Sequence, residues 1–203
     1  MPITTFPKIF KLPPPRDQSS VSLESALRSR RSVRAYASGP LTVAHIAQLL
    51  WAAQGITGRG GSRTAPSAGA LYPLEIYVAA GNVQALPPGI YKYLYHDHTL
   101  VQTAAEDKRA ELSRAALHQS AIAKAPAVVI IGAIYERTTK KYGDRGIRYV
   151  YMEVGHAAQN VCLQAVALGL GTVVIGAFRD DEVKQLAHLP VAEQPLYLIP
   201  VGR

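Results

Sequence analysis

Between Ile147 and Leu168, the residues Val150, Tyr151, Val154, Ala158, Val161, Ala165 and Leu168 recur at helical spacing, and the second half is apolar nearly all round. A helix that is apolar on every side has to be covered on every side, so this segment predicts a buried spine, ended by Gly169. Residues 127–135 (AVVIIGAIY) make a matching demand. A strand apolar on both faces belongs in the middle of a sheet with cover above and below. The chain's 203 residues suffice for one core of that kind.

The remaining elements follow from period and punctuation. Ser22 precedes Leu23, Ala26 and Leu27, which gives a short helix running into Arg30. Thr42 caps a second helix with Val43, Ile46, Leu49, Leu50 and Ala53 on one face, and Gly55 stops it. Residues 74–80, 90–95 and 99–103 read as strands, with His96, Asp97 and His98 at a hairpin tip. Residues 108–117 read as a helix, 172–175 as a buried strand, 181–188 as a helix opened by Asp180, and 196–201 as a final strand. This order lacks regular βαβ alternation, so the fold class is α+β rather than a doubly wound sheet. Pro13, Pro14 and Pro15 cannot continue a helix, which makes residues 1–20 an extended N-terminal arm before a single domain of residues 21–203.

Several classes are excluded at this level. A lone cysteine, Cys162, rules out an internal disulfide framework and any cysteine-based zinc or iron–sulfur site, and it fits a reducing compartment. The longest apolar run, residues 165–178, is broken by three glycines and falls short of the roughly 20 residues needed to cross a bilayer. Residues 1–16 lack the continuous apolar segment of a signal peptide, so the cytoplasm is the expected location. A formal charge of +8 admits nucleic acid, anionic lipid or a phosphate-bearing ligand as partner.

Three stretches could carry chemistry. Arg28, Arg30, Arg31 and Arg34 surround Ser32, and guanidinium forks with a hydroxyl suit a phosphate dianion, although a solvated basic turn or a nucleic-acid patch uses the same residues. The long loop of residues 60–73 (GGSRTAPSAGALYP) lets backbone amides approach a flat ligand, but it lacks the ending of a phosphate-binding loop. Lys140, Lys141 and Tyr142, with Arg145 and Arg148 nearby, could move a proton or simply form a solvated loop. Residues 169–178 (GLGTVVIGAF) have the wrong glycine spacing for a dinucleotide fingerprint and lead into a strand rather than a helix. Glu153 and His156 form a single Glu-x-x-His, short of what a di-iron bundle needs.

Taken in order, RRSVRAY (residues 30–36), PSAGALYPLEIYV (66–78), KYGDRGIRYVYMEVGHAAQN (141–160), LGLGTVVIGAF (168–178) and the terminal PVGR resemble the nitroreductase superfamily of FMN oxidoreductases. The closer resemblance is to its SagB-type, azoline dehydrogenase-like branch. It implies a nitroreductase-like mixed sheet flanked by helices, in an intertwined homodimer with FMN at the interface.

The resemblance also implies roles. Arg30, Arg31, Ser32 and Arg34 would hold the FMN phosphate and ribityl chain, joined by Arg203. Pro66, Ser67, Ala68 and Gly69 would touch FMN from the partner subunit, while Gly176 and Ala177 would lie against its ring. Lys141 and Tyr142 resemble the Lys-Tyr element with which azoline dehydrogenases remove a proton. Ala70 stands where many nitroreductases have an asparagine, and the chain lacks the large N-terminal extension of many peptide-modifying relatives. The implied activity is hydride transfer from NAD(P)H through FMN to a small-molecule substrate such as a nitroaromatic or quinone, with no nucleic-acid or membrane partner. The alternatives are an azoline-to-azole dehydrogenase and, from another class, a nucleic-acid-binding protein using the arginine cluster.

Overall fold

In the computed structural model, which describes residues 8–58 and 60–203, the apolar run of residues 127–135 forms strand β7 (Ala127–Ala133), buried along its whole length. It lies between β3 (Leu74–Ala80) and β9 (Gln194–Gly202) and pairs antiparallel with both. Outward from β3 follow β5 (Gly89–Leu94), β6 (Thr99–Ala104) and an edge strand, β1 (Ile9–Lys11). Outward from β9 lies β8 (Gly171–Thr172), which completes a seven-stranded sheet whose pairings are all antiparallel. Two further short strands, β2 (Leu41–Thr42) and β4 (Val83–Gln84), form a separate parallel pair. Residues 1–7 of the expected arm, and Arg59, lie outside the described residues.

Helices cover both faces, which is why β3 and β7 can be buried along their whole length. On one face, α2 (Val43–Gln54) packs against α6 (Arg145–Ala167), the spine, and both contribute to a cluster with Leu74, Ile76, Val129 and Ile131. On the other face, α3 (Arg109–Ala115), α4 (Ser120–Lys124) and α7 (Asp180–Leu186) enclose Tyr77, Val128, Ile130 and Leu198. The short α1 (Leu23–Ser29) lies along α6. Thr42 and His45 form the capping box that starts α2, and Ser22 accepts from Ser25 N–H to start α1.

Two segments differ from the sequence reading. Residues around Lys141, read as a loop when they are not catalytic, form a helix, α5 (Glu136–Tyr142), with only Thr138 buried. It shows no apolar period because it lies on the surface. The strand expected over residues 172–175 pairs regularly only at β8, and Ile175 regains partners through a single bridge to Leu198. Among the described residues, no helix is long and apolar enough to cross a membrane.

Candidate active site

The arginine cluster leaves α1 and runs beside β8. Arg30 caps α1, Ser32 forms a parallel bridge with Thr172, and Val33 N–H donates to Thr172 O at 2.8 Å. Farther on, Ala37 N–H donates to Arg203 O at 2.6 Å, so the basic segment and the chain's last residue meet. Two glycines allow this approach. A Cβ on Gly171 would lie 2.7 Å from the Val33 side chain, and one on Gly202 would lie 2.5 Å from the Tyr36 ring. His45 registers the result, since burial and then the charges of Arg203 and Arg16 hold its pKa below the ordinary histidine value. Among the described residues, none of Arg28, Arg30, Arg31, Arg34 and Arg203 is in an ion pair. Arg31 turns back to the carbonyls of Arg28 and Arg30.

The small-residue loop gathers a second group of side chains. Gly69 adopts φ +63°, and a Cβ there would lie 2.8 Å from Tyr142 Oη and 2.9 Å from Lys141 Nζ. The two candidate segments are therefore in contact within one chain. Arg137, one turn before Lys141 on α5, pairs with Glu75 at 2.6 Å and donates to Tyr72 O at 3.0 Å. Ser67 Oγ donates to Glu153 Oε2 at 2.6 Å and accepts from Tyr72 N–H at 2.8 Å. Pro66, Ser67 and Ala68, with Tyr149, Met152, Glu153 and His156 of α6, line a cavity of about 260 Å³.

Gly176 and Ala177 are exposed, directly after the Ile175–Leu198 bridge. They lie four and five residues beyond Thr172, which pairs with the basic segment, so at most about 18 Å of chain separates the two. The loop of residues 66–69 is placed differently. It packs on Glu153 in the first half of α6, whereas the basic segment lies beside β8, which follows the end of that helix. The helical rise puts about 20 Å between Glu153 and Ala167.

Sequence reasoning missed Glu153 as part of this site. It is 3% exposed, and burial pushes its carboxyl up to about 7 against the lowering effects of the Ser67 hydrogen bond, the Arg63 charge and Gln54. The available signal was a glutamate set into the stripe of Val150, Val154 and Ala157. A second missed group is the cluster of Lys92, Glu75, Glu193 and Tyr77, whose members come from distant parts of the sequence.

Known proteins resemble this chain over nearly its whole length. The model of the Nitroreductase family matches residues 27–203. A Methanocaldococcus jannaschii protein, MJ1384, provisionally named a nitroreductase, is 53% identical over 187 residues, covering 92% of this chain and 93% of its own. A solved structure from Ralstonia eutropha, with the same provisional name, superposes with a TM-score of 0.85 at 28% identity, covering 96% of this chain and 89% of that one. A chain of the Escherichia coli microcin synthetase McbBCD complex, solved with truncated pro-MccB17 bound, gives 0.72 at 27% identity over 92% of this chain and 75% of its own. The last likeness bears out the SagB-type relationship.

Proposed function

The chain belongs to the nitroreductase family, and on that premise we propose that it is an FMN-dependent oxidoreductase taking electrons from NAD(P)H. When bound, FMN would supply hydride chemistry at N5 toward a small acceptor such as a nitroaromatic or a quinone. The observation that carries this reading is that the segment bearing Arg30, Ser32 and Arg34 runs beside β8 and continues into Ala37, whose amide bonds to Arg203, with no carboxylate paired to any of those arginines among the described residues. That donor set suits a phosphate dianion. Arg31 would complete it, and exposed Gly176 and Ala177 offer backbone amides to the ring.

The residue roles follow from placement. The cradle would orient the ligand, while residues 66–69 present a surface without long side chains to its flat part. One chain holds these two parts at different ends of α6, which supports a homodimer in which Pro66, Ser67, Ala68 and Gly69 serve the partner's cradle. Exposed Leu23, Leu27, Tyr151 and Met152 supply an apolar surface for such a contact. Sedimentation showing a monomer that holds FMN tightly would contradict the shared site.

The purified protein is expected to be yellow. Replacing Arg30 or Arg203 with alanine should weaken FMN binding about 10- to 100-fold, the worth of a charge-assisted hydrogen bond. Fluorescence titration measures it. A colourless protein that binds nucleic acid in a salt-sensitive way would instead assign the arginines to that partner.

A second reading, azoline-to-azole dehydrogenation, is favoured by the contact of Lys141 and Tyr142 with Gly69 and by the likeness to the microcin synthetase chain. A lysine or tyrosine at that place could take a proton from a heterocycle. On this reading Lys141→Ala or Tyr142→Phe slows heterocycle oxidation about 100-fold while FMN stays bound. An unchanged rate removes it.

A further inference from the structure

The chemistry proposed above leaves the buried carboxylate of Glu153 unused, yet its contacts reach the middle of the site. Ser67 Oγ donates to Glu153 Oε2 and accepts from Tyr72 N–H, so one hydroxyl joins the helix interior to both ends of the turn over residues 67–72. Within that turn Gly69, Ala70 and Tyr72 have φ of +63°, +55° and +46°. Two of the three lack glycine's freedom, and a backbone of that kind persists only where its surroundings fix it. Gly69, in the middle, is the residue in contact with Lys141 and Tyr142.

We propose that Glu153 is a positioning residue: its ionised carboxylate holds Ser67, and through Ser67 sets the backbone of residues 66–69 that contacts the flavin. The inference rests on the proposed function for the identity of that ligand, although the tie itself is a property of the chain alone. An ionised acceptor makes a hydrogen bond roughly twice as strong as a neutral one, so protonation loosens the turn.

The groups facing the carboxyl are Ser67 and Arg63 from the loop, Gln54 from the end of α2, and Tyr149 and His156 from α6 itself, with Lys141 and Tyr142 of α5 at Gly69. Glu153 Oε1 and Gln54 Nε2 are both buried without a hydrogen-bond partner, so the Ser67 bond to Oε2 is the one hydrogen bond that holds this carboxyl among the described residues. Burial places the titration near neutral pH, where the turn would respond to ordinary changes in acidity.

The test has two arms on the purified full-length chain. In the first, FMN affinity is followed by fluorescence from pH 6 to 8.5 for wild type, Glu153→Gln and Ser67→Ala. Wild type should lose affinity several-fold toward the acid side relative to both variants, whose profiles share only the titration of the FMN phosphate. A Glu153→Gln profile identical to wild type overturns the proposal.

In the second arm, hydrogen exchange at the Tyr72 amide is measured without added flavin. Protection should fall about tenfold in Ser67→Ala, with Glu153→Gln in between, and unchanged protection in both variants overturns the tie. If wild type binds no FMN at any pH, the flavin reading fails in the first arm, while the second still decides whether Glu153 sets the turn.

Discussion

Lys92→Met should destabilise the fold by about 3 kcal/mol near neutral pH, more than a hundredfold in the folding equilibrium. Lys92 Nζ lies 2.9 Å from Glu75 and 2.6 Å from Glu193, and both carboxylates are buried. Burial alone would lower the ammonium's pKa, but hydrogen bonds and charge from Glu193 and Glu75 raise it above the ordinary lysine value. The folded state therefore holds this proton more tightly, and the contribution is complete below the unfolded pKa and fades as pH rises through the folded one. Methionine fills a similar volume, strips buried Glu193 of its counter-charge and leaves Glu75 with Arg137 alone. The figure is at the low end for a broken buried pair because Lys92 remains partly open to solvent. As pH falls and the stranded carboxylates take up protons, the deficit should shrink. Urea unfolding at two pH values measures it, and a deficit that grows in acid would refute the cause assigned here.

Glu75 also pairs with Arg137, which reaches Tyr72 O, so the cluster anchors the helix that carries Lys141 and Tyr142. Damage at Lys92 is thus expected to loosen α5 before it reaches the far face of the sheet.

Glu153→Gln should do the opposite. The carboxyl of Glu153 is raised from 4.5 to about 7 by burial, so the folded state binds more protons than the unfolded chain between those values. Stability therefore declines as pH rises across that window, and the penalty is complete above about 7 and absent below about 4.5. Glutamine never ionises. At pH 8 the variant should be more stable by up to about 3 kcal/mol, or several degrees in Tm, and the gain should vanish near pH 4.5. Thermal melts across pH decide it, and a gain independent of pH would mean that ionisation is not the cause. A residue that costs this much in the resting fold is what a stability–activity trade-off looks like.

The outline of the fold was legible because its largest elements announce their burial. A strand apolar on both faces, Ala127–Ala133, has one place to go, and the spine helix and the Thr42 cap are written in period and punctuation. Glu136–Tyr142 carries no such pattern, because a surface helix with one buried residue needs no apolar stripe. The strand over residues 172–175 looked longer than it is, since burial was visible in its residues but pairing was not. At the site, the composition of each segment could be read, but not which segments meet. Ser67 and Glu153 are 86 positions apart, and Ala37 meets Arg203 only because Gly171 and Gly202 leave room for Val33 and Tyr36. Close approaches of that kind follow from the completed packing, and no local spacing encodes them.

The position of the basic segment has a consequence for solubility. A sheet's last strand offers unpaired amides and carbonyls to any passing chain, and β8 would be that strand here. Residues 32 and 33 occupy its free side, and the guanidinium groups around them disfavour edge-to-edge pairing with the same basic margin of another copy. The stretch that gathers positive charge is thereby also the stopper that keeps this margin from seeding aggregates.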